Sequence, residues 1–393
     1  MQEKYIRWGR QKNCMRELTA YGNARKAEIG ADRVFDFSLG SPSAPVPKPV
    51  WEAMREAMKR PDVHEKTPPA GLSALREAVA ENLSGRYGLD LTAELVQIVT
   101  GAAGGLAVCA NALLKPGDEA IVLAPYFTEY RVFIEGAGGT VVEVPPLADM
   151  QPDLKALRAA ISEKTRLVLV NTPNNPSGAI LSKKSLTGIA NALRKAGERY
   201  GRPIYLLSDE PYRELCYDRK AIPAPMAAYE NTILCYSFSK SLSLPGERIG
   251  YLTVHPQLTD REAVQRALLD AAVSLGYCAA PSLMQHAIVP CVGMTADITR
   301  YRKNRALLYG MLTELGFDCV RPQGAFYLFV KSPLPDAKAF SEAAKRYELL
   351  LVPSDDFGLP GYLRLAYCVP EETIRRSEAA FRALAEEFGR RKD

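Results

Sequence analysis

Between about residues 95 and 254 the chain repeats short apolar runs that end in polar turns. Leu167-Val168-Leu169-Val170 is apolar at four successive positions, the pattern of a fully buried strand. It runs into Asn171-Thr172-Pro173-Asn174-Asn175-Pro176-Ser177-Gly178, a turn dense in Asn, Pro and Gly. Pro203-Ile204-Tyr205-Leu206-Leu207-Ser208 ends in Asp209-Glu210-Pro211-Tyr212, and Thr232-Ile233-Leu234-Cys235-Tyr236 leads to Ser237-Phe238-Ser239-Lys240. Further strands are expected at about 95–99, 119–124, 140–144 and 249–254, alternating over part of this region with helices such as 103–114 and 183–199. That order predicts an α/β fold: a mostly parallel seven-stranded sheet covered by helices on both faces.

At 393 residues the chain exceeds the usual single core, so two domains are expected. The large one is placed at residues 45–285. A smaller α+β domain combines residues 1–44 with 286–393, and carries a long helix near 282–315, short strands at 325–330 and 362–367, and a terminal amphipathic helix. Repeats and low-complexity tracts are absent.

Charged residues make up 24% and the hydrophobic set 47%, as in an ordinary soluble globular protein. The net charge of +5 is spread thinly, and the one tight basic cluster, Gly389-Arg390-Arg391-Lys392, reads as a solvated tail, so nucleic-acid binding has little support. The N-terminal run has charges throughout and no apolar stretch, which predicts neither a secretion signal nor a membrane span. Eight cysteines without a CxxC pair, most of them in apolar runs, suggest a reducing compartment and a cytoplasmic location. Three histidines, His64, His255 and His286, lack paired-ligand spacing; no metal site is expected, and no motif supports a serine–histidine nucleophile.

The polar groups at the strand ends carry the candidate chemistry. Ligands of a parallel sheet bind outside the carboxyl ends of its strands, so Asn175, Asp209, Tyr212 and Lys240 would face one crevice. Desolvation or a nearby cation lowers a lysine pKa and frees its lone pair for a carbonyl, such as the aldehyde of pyridoxal phosphate. Arg248 and Ser237 could then hold the phosphate, and Asp209 could keep the pyridine nitrogen protonated. Hydrogen bonds from Asn175 and Tyr212 would stabilise the ring oxygen. Taken singly, each group has a plainer reading. Lys240 reads as a surface lysine with a snorkelling stem, and Asn175 as an ordinary turn residue.

Four motifs combine these residues: Asn174-Asn175-Pro176-Ser177-Gly178, Asp209-Glu210-Pro211-Tyr212, Ser237-Phe238-Ser239-Lys240 with Arg248, and Tyr362-Leu363-Arg364-Leu365. In order and spacing the chain resembles a class I/II aminotransferase of the pyridoxal-phosphate fold type I group, and Gly71-Leu-Ser-Ala-Leu-Arg76 and Gly324-Ala-Phe-Tyr327 agree. The resemblance implies a Schiff base at Lys240, which later moves a substrate proton, and a pyridinium partner in Asp209. It gives Asn175 and Tyr212 the ring oxygen, and Arg248 and Ser237 the phosphate. Gly101-Ala102-Ala103-Gly104-Gly105 matches the family's phosphate loop, where backbone N–H groups at a helix N-terminus meet the anion. Neither a Walker A lysine nor a GxGxxG run is present there. Phe127 matches the aromatic residue stacked on the pyridine ring, and otherwise reads as core packing.

Arg364 would bind the substrate α-carboxylate through its planar fork, against the alternative of a surface strand arginine in a salt bridge. Gly40 would let the backbone approach substrate, though a turn glycine looks the same. The resemblance further implies a homodimer with active sites shared between subunits, and L-amino acid and 2-oxo acid substrates.

Two departures matter. Lys66 stands where many members carry a tyrosine that reaches the partner subunit's phosphate. Ala103 replaces the lysine with which one aspartate-using subgroup grips the distal carboxylate. Arg16 and Arg25 are possible substitutes that no motif selects. A β-eliminating carbon–sulfur lyase, a decarboxylating variant or a cyclopropane-forming synthase would use the same cofactor residues. A regulator that binds the cofactor without turnover is a further alternative.

Overall fold

The computed structural model describes residues 3–10, 14–218 and 222–389. Seven strands form the principal sheet: β1 (Val96–Val99), β2 (Glu119–Leu123), β3 (Thr140–Val144), β4 (Thr165–Asn171), β5 (Tyr205–Asp209), β6 (Thr232–Ser237) and β7 (Gly250–Val254). Their order is β1-β7-β6-β5-β4-β2-β3, and only β7 runs antiparallel to its neighbours. The fold class read from the sequence is the one observed.

Two-sided burial explains the unbroken apolar runs. Along β4, Leu167 and Leu169 belong to the apolar cluster on one face of the sheet, while Val168 and Val170 join the cluster on the other. Side chains of a strand alternate faces, so such a strand has no polar side to show. The crossover helix Lys183–Tyr200 begins at Ser182, whose hydroxyl accepts the Ser185 N–H, and ends at Gly201 in the left-handed conformation (φ 65°).

A second apolar cluster surrounds a four-stranded antiparallel sheet of β8 (Cys319–Val320), β9 (Tyr327–Lys331), β10 (Val352–Pro353) and β11 (Tyr362–Ala366), in the order β10-β11-β9-β8. Phe35–Asp36 pairs in parallel with Leu349–Leu350, which ties the N-terminal segment to this part of the chain.

The long helix expected near 282–315 is broken. Helix Ser282–Ile288 gives way to a 3-10 turn at Val289–Cys291, and helix resumes only at Thr299–Glu314. Pro290 has no N–H to continue the ladder, and Gly293 adopts a left-handed φ of 84°. The basic run at Arg390–Lys392 lies outside the described residues. Among the described residues no helix is long and apolar enough to cross a membrane.

Candidate active site

The sheet register sets Asn171, the last residue of β4, directly beside Asp209, the last residue of β5. Asp209 is buried. Its Oδ2 accepts from the Tyr130 hydroxyl at 2.5 Å and from Asn171 Nδ2 at 3.4 Å, whereas its Oδ1 is buried with no partner. Burial pushes this carboxyl up to about 7, with the Tyr130 hydrogen bond opposing and Glu210 adding to the shift. An orphaned acceptor of this kind is costly unless a donor meets it. A protonated ring nitrogen is such a donor.

Lys240 lies in the short helix Phe238–Ser241 that follows β6. Its amine donates to the Gly40 carbonyl at 2.8 Å and stands 5.8 Å from the Tyr212 ring centroid and 5.4 Å from that of Phe326. Burial pushes the amine down to about 8; Arg364 and Arg248 also lower it, while Cys368 opposes. The Tyr212 and Tyr327 hydroxyls share a hydrogen bond of 2.9 Å. Burial holds the Tyr212 phenol well above its ordinary value, so it stays a neutral donor.

Arg364, on β11, is 2% exposed, so it is not the surface arginine that period alone permits. Its Nη1 donates to Asn175 Oδ1 at 3.2 Å and its Nη2 to the Ser38 carbonyl at 2.7 Å, while its buried Nε has no partner. Its guanidinium lies 4.7 Å from the Tyr327 ring centroid and 5.3 Å from that of Phe357. Asn175 is itself fixed by its backbone N–H, which donates to Asn171 Oδ1 at 2.7 Å.

The anion end lies at the start of helix Gly101–Leu113. A Cβ on Gly101 would meet Arg248 Nη2 at 3.0 Å, which puts the guanidinium against the helix terminus. The first turn of a helix has unpaired N–H groups, here including those of Ala102 and Ala103, and bears a partial positive charge. Arg248 is exposed and adopts a left-handed φ of 51°. The Ser237 hydroxyl accepts the Ser239 N–H at 3.2 Å and lies 2.7 Å from Ser239 Oγ, so it also caps the turn that bears Lys240.

Phe127 is half-buried, with its ring edge-on to Tyr130 at 5.7 Å. Lys66 is exposed. Arg25 is committed to Glu348 at 2.6 Å and Glu28 at 2.8 Å, so it is not a spare charge for a substrate. Arg16 lines a groove with Met15 and Glu129, and Met15 Sδ lies 3.4 Å from Arg364 Nη2.

Tyr130, Asn171 and Tyr327 also belong to this group, and the strand-end reading did not single them out. Asn171 stood within the turn motif already noted. Tyr130 is the second residue of helix Glu129–Gly136, where a buried aromatic residue looks like any core residue.

The comparisons with known proteins point to one family. Residues 32–381 match the family model described as aminotransferase class I and II. The aspartate/prephenate aminotransferase of Thermus thermophilus is 34% identical over 383 residues, covering 91% of this chain and 93% of that protein. An amino transferase structure from Eubacterium rectale superposes with a TM-score of 0.96 at 42% identity, covering 99% of both chains. The aspartate aminotransferase of Thermus thermophilus with maleate gives 0.85 at 30% identity, covering 95% of this chain and 97% of that one. With one family model spanning nearly all of the sequence, the chain belongs to the class I and II aminotransferases.

Proposed function

We propose that this aminotransferase moves the amino group of an L-amino acid to a 2-oxo acid with pyridoxal 5'-phosphate attached at Lys240. The observation that carries the reading is the pairing of a desolvated lysine, its amine lowered to about 8, with a buried aspartate oxygen that has no donor. When bound, the cofactor supplies a protonated conjugated ring that accepts the electron pair left at the substrate α-carbon.

Asp209 Oδ1 would hold the proton on the ring nitrogen, with Tyr130 and Asn171 fixing the carboxylate from its other oxygen. Asn175 and Tyr212 would donate to the ring oxygen, and Phe127 would lie against the ring face. Arg248, Ser237 and the N–H groups of Ala102 and Ala103 would hold the phosphate. Arg364 would take the α-carboxylate, with its unpartnered Nε as one tine of the fork. Gly40 would bring its backbone up to the substrate, and its missing Cβ lets the Tyr327 hydroxyl pack against that backbone. The neutral amine of Lys240 would take the substrate α-proton and deliver it to the cofactor's aldehyde-derived carbon, on the far side of the amino nitrogen.

The chain is divided, on this reading, into a cofactor-binding unit at 45–285 and a smaller unit of 1–44 with 286–393. A homodimer is supported by exposed apolar side chains, among them Trp51, Met58, Val273 and Tyr277, and Lys66 would reach the partner subunit's phosphate site. Eight free thiols support a cytoplasmic setting.

Incubating the cofactor-loaded protein with single L-amino acids tests the reaction type. Aminotransfer releases one equivalent of oxo acid per site and then stops until a second oxo acid is added. Continuous release of pyruvate and ammonia from cysteine conjugates, without any acceptor, would mean elimination instead.

A further inference from the structure

Glu210 directly follows Asp209, and its side chain leaves the strand on the opposite side, toward helix Ser73–Tyr87. It is fully buried, in an ion pair with Arg213, which is 6% exposed. Ser208 Oγ donates to Glu210 Oε1 at 2.6 Å, and the Tyr87 hydroxyl lies 3.3 Å from Oε2. The Arg213 guanidinium lies 4.7 Å from the Tyr87 ring centroid and donates to the Ile222 carbonyl at 3.4 Å. Behind this pair, Arg86 meets Glu214 at 2.7 Å, and Glu214 accepts from the Tyr236 hydroxyl at 2.8 Å.

A buried ion pair is a poor device for stability alone, since well-packed apolar residues of similar volume often do as well or better. Its place next to Asp209, on the turn that carries Tyr212, suggests another use. We propose that Glu210 and Arg213 form a positioning pair: Arg213 offsets much of the charge of a carboxylate that stands beside Asp209, leaving Asp209 the dominant negative charge facing the ring nitrogen. The inference rests on the cofactor reading above.

The other groups around the two carboxylates do not supply this balance. Tyr130, Tyr212 and Cys235 face Asp209, and Tyr87 and Tyr251 face Glu210; burial raises all five above their ordinary values and keeps them neutral. The Arg86 cation is matched by Glu214. Arg213 is thus the cation that pairs with Glu210.

The test uses the full-length protein loaded with pyridoxal phosphate and reads the pKa of its Lys240-dependent visible absorption band. Arg213→Met should raise that pKa and Glu210→Gln should lower it, each by on the order of one unit for a charge several ångströms away. The double variant should return close to the parent value, and Arg213→Lys should restore it as well. A structural role alone would not give opposite signs that cancel. If Arg213→Met does not fold, the near-isosteric Glu210→Gln decides, and an unchanged or raised pKa overturns the proposal. Absence of any Lys240-dependent band in the parent protein would instead overturn the cofactor reading on which it rests.

Discussion

The amine of Lys240 donates a hydrogen bond of 2.8 Å to the carbonyl of Gly40, 200 residues away in sequence. Gly40 in turn lies so close to Tyr327 that an added Cβ would meet the tyrosine hydroxyl and, at 2.9 Å, its Cζ. Through Tyr327 the contact reaches Tyr212 and Arg364. Gly40→Ala should therefore displace Tyr327, destabilise the protein by about 1–3 kcal/mol through overpacking, and raise KM for the amino acid. Denaturant unfolding with steady-state kinetics checks both; an unchanged KM would show that Gly40 is only a turn residue.

Lys240 is lowered to about 8 chiefly by burial. Only its neutral amine can attack a carbonyl, so the second-order rate of cofactor attachment to the cofactor-free protein should rise with pH and level off above about 8. A rate that keeps rising past pH 10 would mean an ordinary exposed lysine.

Asp209 is raised to about 7, so the native state holds its proton more tightly than the unfolded chain does. For the cofactor-free protein this makes stability fall as pH rises from about 4 to 7, and Asp209→Asn should abolish that loss. At pH 7 the variant should be more stable by roughly a few kcal/mol, since each pKa unit corresponds to about 1.4 kcal/mol. Its cofactor affinity should drop at the same time. Urea unfolding of the cofactor-free proteins at pH 5 and pH 7 measures the effect. Tyr130→Phe, which removes a hydrogen bond that opposes the shift, should steepen the loss.

Arg364→Lys keeps a cation but loses the planar fork. KM for amino acid and oxo acid should both rise by about 10- to 100-fold, the loss of a charge-assisted hydrogen bond of roughly 1.5–3 kcal/mol. Cofactor affinity should hold. A KM within twofold of the parent would remove Arg364 from the carboxylate site.

The strand-end residues were legible in the sequence because chemistry and topology coincide there. A polar group that ends a buried apolar run has one place to go, the carboxyl edge of the sheet, and Asn175, Asp209 and Lys240 all follow such runs. Tyr130 was not legible as part of the site, since its ring packs as any core aromatic would and only its hydroxyl partner distinguishes it, while Tyr327 entered only as the last residue of the Gly324–Tyr327 match, with no role attached. The ion pair of Glu210 and Arg213 spans one turn of chain, a spacing that on a surface would be commonplace; its burial is what sets it apart. The misread helix at 282–315 has a similar origin. Residues 289–298 stay largely apolar across Pro290 and Gly293, but local backbone chemistry ends the helix there.

On the proposed function Lys240 both carries the cofactor and serves amino transfer. The most direct measurement is the visible absorption spectrum of purified protein with pyridoxal phosphate, beside Lys240→Ala, before and after adding L-amino acids without an acceptor. The expected result is a band that requires Lys240, that certain amino acids convert to the pyridoxamine form, and that a 2-oxo acid restores. A band that persists in Lys240→Ala, or that no L-amino acid converts, would contradict it.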